Sequence, residues 1–279
     1  MTNYRASVLV LTAMFAVPVA TRATNYEWSF NNANLDDAFV HGSMQAVGAT
    51  VPDFTTTNGT TIPHIGGVPA HILNIPQFTL PTDGFNLSFD ASGPNGGGAF
   101  INQFTFLFDL FSPGLPDWQA IFQTDPDNTT ASNNDADWYI APDSSLGIGD
   151  LGYTVPGAIL QDTWYRIAFA ADLSLGRVTY YINGIQVHQT ASGVRDGRFS
   201  LYSNADAGAD VRLFNEGDTS GIYTHALYIN SVAFVDRELT AAEVGNLGGP
   251  NALGIFVPEP GAGLLVLAGL LIPISRRRR

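Results

Sequence analysis

Residues 163–189 read TWYRIAFAADLSLGRVTYYINGIQVHQ, and this stretch decides the fold. Tyr165, Ile167 and Phe169 alternate with Arg166, Ala168 and Ala170, and Val178, Tyr180 and Ile182 alternate with Thr179 and Tyr181. Successive side chains leave a strand on opposite sides, so an alternation of period two marks strands with one buried face. Asn183-Gly184 then reverses the chain, because a type I′ turn needs positive φ at both central residues and these two types reach it at least cost. Ile185 and Val187 continue the pattern. The stretch therefore predicts a three-stranded antiparallel meander, connected first at 172–176 and then at 183–184.

The same pattern extends outward. Upstream, Phe85, Leu87 and Phe89 alternate with Asn86, Ser88 and Asp90, and Phe104, Phe106, Phe108 and Leu110 alternate with Thr105, Leu107 and Asp109. Shorter strand candidates are 26–30, 118–124 and 138–141, while 31–80 is rich in Asn, Gly and Thr and reads as irregular, with an apolar piece at 72–75. Downstream, 199–203, 211–215 and 226–235 read as strands. In the last, Ala226, Tyr228, Val232 and Phe234 are expected on one face and Leu227, Ile229, Ala233 and Val235 on the other, as in a strand covered on both sides. Thr240-Ala241-Ala242-Glu243 is a capping box, and Gly248-Gly249 can end the short helix it starts, which is expected on the sandwich edge. Many short strands and one late helix predict an all-β fold, a two-sheet antiparallel sandwich of jelly-roll type.

The chain ends differ from the body. Residues 1–24 carry Arg5, an apolar run from Ala6 to Ala20 and small residues, the composition of a secretory signal peptide. Residues 257–279 hold Pro258-Glu259-Pro260, an apolar segment at 261–275 and Arg276, Arg277, Arg278 and Arg279. That segment makes a helix of about 22 Å, short of the roughly 30 Å hydrocarbon core unless the arginines snorkel to the headgroups. Positive charge there favours a cytoplasmic C-terminus and an exported body. The triplet, helix and arginine cluster resemble the PEP-CTERM sorting signal of exopolysaccharide-producing Gram-negative bacteria. The resemblance implies transit through the inner membrane, an exosortase-type processing enzyme as partner, and delivery to the cell surface or extracellular matrix.

Between the ends, 25–256 is expected to be one domain. DTWYRIAFAADLSLGRVTYYINGIQV, DGRFSLYSN and NSVAFVDRELTAAEVGNLGG resemble the second half of laminin G-like domains of the concanavalin A-like lectin/glucanase superfamily, over about 78–249. That resemblance implies a glycan or other matrix component as ligand and Ca²⁺ at a loop rim.

Composition narrows the chemistry. The chain has no cysteine and no lysine, so thiol chemistry and disulfide stapling are excluded. The body holds 24 acids against six arginines, a net of about −18, which argues against nucleic acid as a partner. Gly147-Ile148-Gly149-Asp150-Leu151-Gly152 spells a dinucleotide fingerprint, but a Ser-rich loop precedes it and Tyr153-Thr154-Val155-Pro156 follows, where the motif requires a strand and then a helix. Glycoside hydrolysis needs two carboxylates across the scissile bond. The glutamates Glu27, Glu216, Glu238 and Glu243 form no cluster, and the histidines show no zinc spacing.

What remains is acidic and aromatic. Asp125, Asp127, Asp135 and Asp137 share a loop with Asn128, Asn133 and Asn134, a density of hard oxygen ligands able to hold Ca²⁺, though without EF-hand spacing. Asp206, Asp210, Glu216 and Asp218 form a second such group. Trp118, Trp138 and Trp164 have faces that sugars can stack on, and Trp138, beside the acidic loop, is the expected ligand contact. The expected function is that of an exported, non-enzymatic binder of glycan, exopolysaccharide or matrix. A purely structural envelope component is the alternative, and a polysaccharide-degrading enzyme comes third.

Overall fold

The computed structural model describes residues 25–256 other than 40, 90–92, 115–116, 125–135, 192, 202–210 and 217–223. In chain order its strands are β1 (Asn25–Ser29), β2 (Ser43–Val47), β3 (Asp53–Thr56), β4 (His71–Ile75), β5 (Gly84–Ser88), β6 (Gln103–Phe111), β7 (Gln119–Gln123), β8 (Asp137–Ile140), β9 (Leu146–Ile148), β10 (Gly152–Tyr153), β11 (Trp164–Asp172), β12 (Arg177–Ile182), β13 (Ile185–Thr190), β14 (Val211–Leu213) and β15 (Leu227–Val235), followed by the helix α1 (Ala241–Leu247). They form two antiparallel sheets. The larger runs β13-β12-β11-β6-β15-β4-β3 with β1 also on β15, and the smaller runs β10-β9-β8-β7-β14-β5-β2. This is the expected two-sheet sandwich.

The meander forms as its turn residues demand. Asn183 and Gly184 take φ of 50° and 81°, and Ile182 pairs with Ile185 across them. Ile167, Phe169, Val178 and Tyr180 enter the core between the sheets. Ala168, Ala170 and Tyr181 face the other way, into a second cluster with Leu239, Val244 and Ile255. The alternation therefore separates two packed faces, because the larger sheet is covered on its outside too. Ile185 and Val187 depart from the expectation, being 69% and 39% exposed. They lie on the edge strand, beyond a register shift at Tyr180/Tyr181 that breaks the phase.

The core is aromatic. Phe104, Phe106, Phe108 and Leu110 of β6 point inward, where Phe106 meets Phe122 at 4.7 Å and Phe122 stacks on Trp138 at 4.4 Å. Each fully buried large side chain contributes about 1.5–3 kcal/mol, which lets packing alone hold a cysteine-free body.

Several elements differ from their sequence reading. In β15 the core takes Leu227 and Ile229 together with Val232 and Phe234, because a register shift between Ile229 and Ser231 inserts a residue and inverts the phase. The stretch read as irregular contains β2 and β3, whose half-exposed, short patterns are weak signals, and β4, whose buried Ile72, Leu73 and Ile75 are the apolar piece at 72–75. At 199–203 the described residues make only an isolated bridge, Ile101 to Leu201. The capping box of α1 is complete, and the helix lies along β13, the edge strand of the larger sheet, with Val244 turned into the cluster on that sheet's outer face. Gly248 ends it at φ 63°, ψ −143°, outside the left-handed helical region.

Residues 248–256 continue across that outer face and are held there by charge. Arg166 and Asp109 are directly opposed on β11 and β6. The guanidinium gives Nε and one terminal nitrogen to the two carboxylate oxygens, each at 2.6 Å, and also donates to the carbonyls of Leu247 and Gly254. Asn251 N–H donates to the same carboxylate at 3.1 Å. Both side chains are buried. On β1, Glu27 accepts from the amides of Ile255 at 2.5 Å and Phe256 at 3.3 Å. Burial pushes the Glu27 carboxyl above its ordinary range, against the opposite pull of these amides. Gly254, at φ 124°, has no room for a side chain beside Glu27.

Candidate functional site

The site is built on the outside of the smaller sheet. On β8, Trp138 and Ile140 point into the core, so Asp137 and Tyr139 point outward. Registers carry this outer row across the sheet, with Ala120 opposite Tyr139, Tyr139 opposite Gly147, and Gly147 opposite Tyr153. Two tyrosines thus flank a glycine. Gly147 sits at φ 155°, and a Cβ there would come within 2.2 Å of the Gly152 carbonyl oxygen, so only glycine serves. The space between the tyrosines takes Trp118, which meets Tyr139 edge-on at 5.6 Å and Tyr153 at 6.0 Å.

The turn joining β8 to β9 supplies the polar wall. Pro142 presets its first corner, Ser144 N–H donates to the Ala141 carbonyl at 2.8 Å, and Ser144 takes φ 65°. Asp143 at its tip accepts from Ser145 Oγ at 2.6 Å and Ser145 N at 3.0 Å, both on Oδ1. These bonds hold its carboxyl below the usual range, so it is ionised at neutral pH. The result is an open cleft of about 290 Å³ lined by Trp118, Pro142, Asp143, Ser145, Tyr153 and Thr154. That is the lower end of the small-molecule range, about 300–1,000 Å³. Among the described residues, Asp143 Oδ2, the Tyr153 hydroxyl and Trp118 Nε1 make no hydrogen bond. Burial and the Asp143 charge push the Tyr153 phenol upward, so it is a donor at neutral pH.

Supporting contacts fix the walls. Tyr139 donates to Glu216 at 2.5 Å. The β9–β10 hairpin is tied to the larger sheet by the Tyr180 hydroxyl on the Gly152 carbonyl and by His188 Nε2 on the Leu151 carbonyl. It is this hairpin that the GIGDLG sequence forms.

The expected site residues fall elsewhere or beyond the described residues. Trp138 is a correction: it is 0% exposed, between Phe122, Phe169 and Phe199, and offers no face to a ligand. Its place two residues before the inward Ile140 is the signal that assigns it to the core. Trp164 is also core, its indole donating to the Pro63 carbonyl. Trp118 alone of the three named tryptophans is half-exposed. Asp137 is buried at 4% and opposite Gln123, in an outer polar row of Gln45, Asn86, Arg212, Gln123 and Asp137 across five strands. Asp125, Asp127 and Asp135 lie outside the described residues, as do Asp206, Asp210, Asp218, Pro258, Glu259, Pro260 and Arg276–Arg279. Among the described residues no group of three or more His, Asp or Glu is arranged to hold a metal, and no helix is long and apolar enough to cross a membrane.

The glutamates are individually engaged. Glu27 and Glu216 are buried, Glu238 pairs with Arg177 at 2.5 Å, and Glu243 caps α1 and pairs with Arg237 at 2.6 Å.

Fold and cleft together define a β-sandwich domain with an aromatic surface site. No family model matches the chain, and no curated protein matches it. Solved structures do resemble it. Domain 4 of an extracellular arabinanase from Geobacillus stearothermophilus, solved with arabinotriose, aligns at 15% identity and TM-score 0.47 over 81% of this chain and 98% of its own. The binding domain of botulinum neurotoxin serotype D aligns at 11% and 0.48 over 79% of this chain and 50% of its own. The CBM40 module of a Ruminococcus gnavus sialidase, solved with α2,3-sialyllactose, aligns at 15% and 0.42 over 53% and 83%.

Proposed function

We propose that the body is a non-catalytic carbohydrate-binding module that takes a sugar ring in the Trp118–Tyr153 cleft. One observation carries this reading: an open cleft in which half-exposed aromatic rings stand beside an ionised carboxylate and two uncommitted donors. Sugar rings present apolar C–H faces to aromatics and hydroxyls to polar side groups, and this cleft offers both. Its size suits one residue or a chain end rather than a length of polymer. A glycan array and an exopolysaccharide pull-down with the purified protein, with and without EDTA, test the reading. Binding that disappears in Trp118→Ala is expected; uniform failure to bind refutes it.

For location, the N-terminal apolar run and the Pro258-Glu259-Pro260 tail support an exported protein that passes the inner membrane and is processed by an exosortase-type enzyme on its way to the surface or matrix. Replacing Pro258, Glu259 and Pro260 by alanine is expected to retain the full-length chain in the membrane fraction. Unchanged fractionation and size would refute that route.

A further inference from the structure

We infer that the cleft selects uncharged sugar rings and rejects their carboxylate-bearing counterparts, with Asp143 as the residue that discriminates. The inference rests on the glycan reading of the same site and adds the chemical class of its ligand.

Asp143 presents one carboxylate oxygen that the protein does not use. Oδ1 is taken twice by Ser145, the residue's own amide adds to the hold on the carboxylate, and Oδ2 accepts from no other described residue on this exposed turn. A neutral pyranoside satisfies such an acceptor with a hydroxyl. A uronate brings a second acceptor-only group of the same charge. Relief would need a cation, and none of the residues lining the cleft is basic. The arginine near the β9–β10 turn, Arg198, is committed to Asp150 at 2.6 Å. The donors that remain, Trp118 Nε1 and the Tyr153 hydroxyl, are neutral, and the Tyr153 phenol sits in the field of Asp143. At longer range the body's net charge of about −18 repels polyanions before contact.

The test is a titration of the purified full-length protein at pH 7 in EDTA with methyl glucoside, galactoside and mannoside and with the corresponding uronates. EDTA removes divalent ions that would bridge two carboxylates. At least one neutral ring is expected to bind about tenfold or more tightly than its uronate, as like charges in contact weaken recognition by at least that factor. Asp143→Asn, whose amide oxygen can still accept from Ser145 but whose amide nitrogen replaces the free acceptor by a neutral donor, is expected to weaken neutral-sugar binding and strengthen uronate binding, so that the preference shrinks toward parity. Trp118→Ala is expected to remove binding of both. Uronate binding equal to that of the neutral ring, or an unchanged preference in Asp143→Asn, overturns the inference while leaving the glycan reading intact. Absence of binding to every sugar overturns both.

Discussion

Trp118 and Trp138 serve different ends because they project from opposite sides of the smaller sheet. Trp138 fills the core against Phe122, and its replacement by alanine is expected to cost about 3–5 kcal/mol in chemical denaturation. Trp118→Ala is expected to change stability by less than about 1 kcal/mol, since its ring is half-exposed, yet to abolish sugar binding. A second residue-scale prediction concerns Glu243, whose carboxyl is held down to about 2 from 4.5 by Arg237 first and by the Thr240 cap. A carboxylate with a depressed folded value stabilises above its unfolded pKa and loses that contribution as pH falls through the folded one. The stability difference between wild type and Glu243→Gln is therefore expected at pH 6 and should vanish toward pH 2 in denaturant titrations. The capping box is visible in four consecutive letters. The Arg237 partner is not, because its reach back to the helix depends on how the chain leaves β15.

At the scale of elements, the pair formed by Arg166 and Asp109 locks β11, β6 and the irregular segment 248–256 together. Removing one partner leaves a buried charge, so Asp109→Leu or Arg166→Met is expected to destabilise by about 3–5 kcal/mol, whereas the double replacement Asp109→Leu with Arg166→Met is expected to recover much of that loss. A double-mutant cycle by thermal denaturation measures the difference. The elements themselves were unequally legible. The meander declares itself because Asn183-Gly184 admits one turn type and the apolar residues keep phase on both sides. The partnership of Arg166 with Asp109 does not, since it follows from the register between strands far apart in sequence. The bulge in β15 is equally silent, as an inserted Asn230 changes no local pattern. Nor does Trp118 announce its cleft: the neighbours that leave it room, Ala120 and Gly147, come from different strands.

At the scale of the molecule, the two-sheet architecture was readable from alternation alone, but which tryptophan meets solvent was decided by pairing. The whole body also carries its charge one way, with 24 acids against six arginines. Self-repulsion of that kind opposes compaction and is screened by salt, with a Debye length of roughly 10 Å at 0.1 M and 3 Å at 1 M. The melting temperature is expected to rise between 10 mM and 0.5 M sodium chloride, and a flat or falling profile in calorimetry would contradict this. Finally, the grip of Glu27 on Ile255 and Phe256 brings the first strand and the last described residues to one corner. A unit whose entry and exit are neighbours can be spliced into a surface loop of another protein without stretching either host or guest. Grafted through residues 25 and 256 into such a loop, the sandwich is expected to keep its own cooperative melting transition, with both junctions on the larger sheet and away from the outer side of the smaller one.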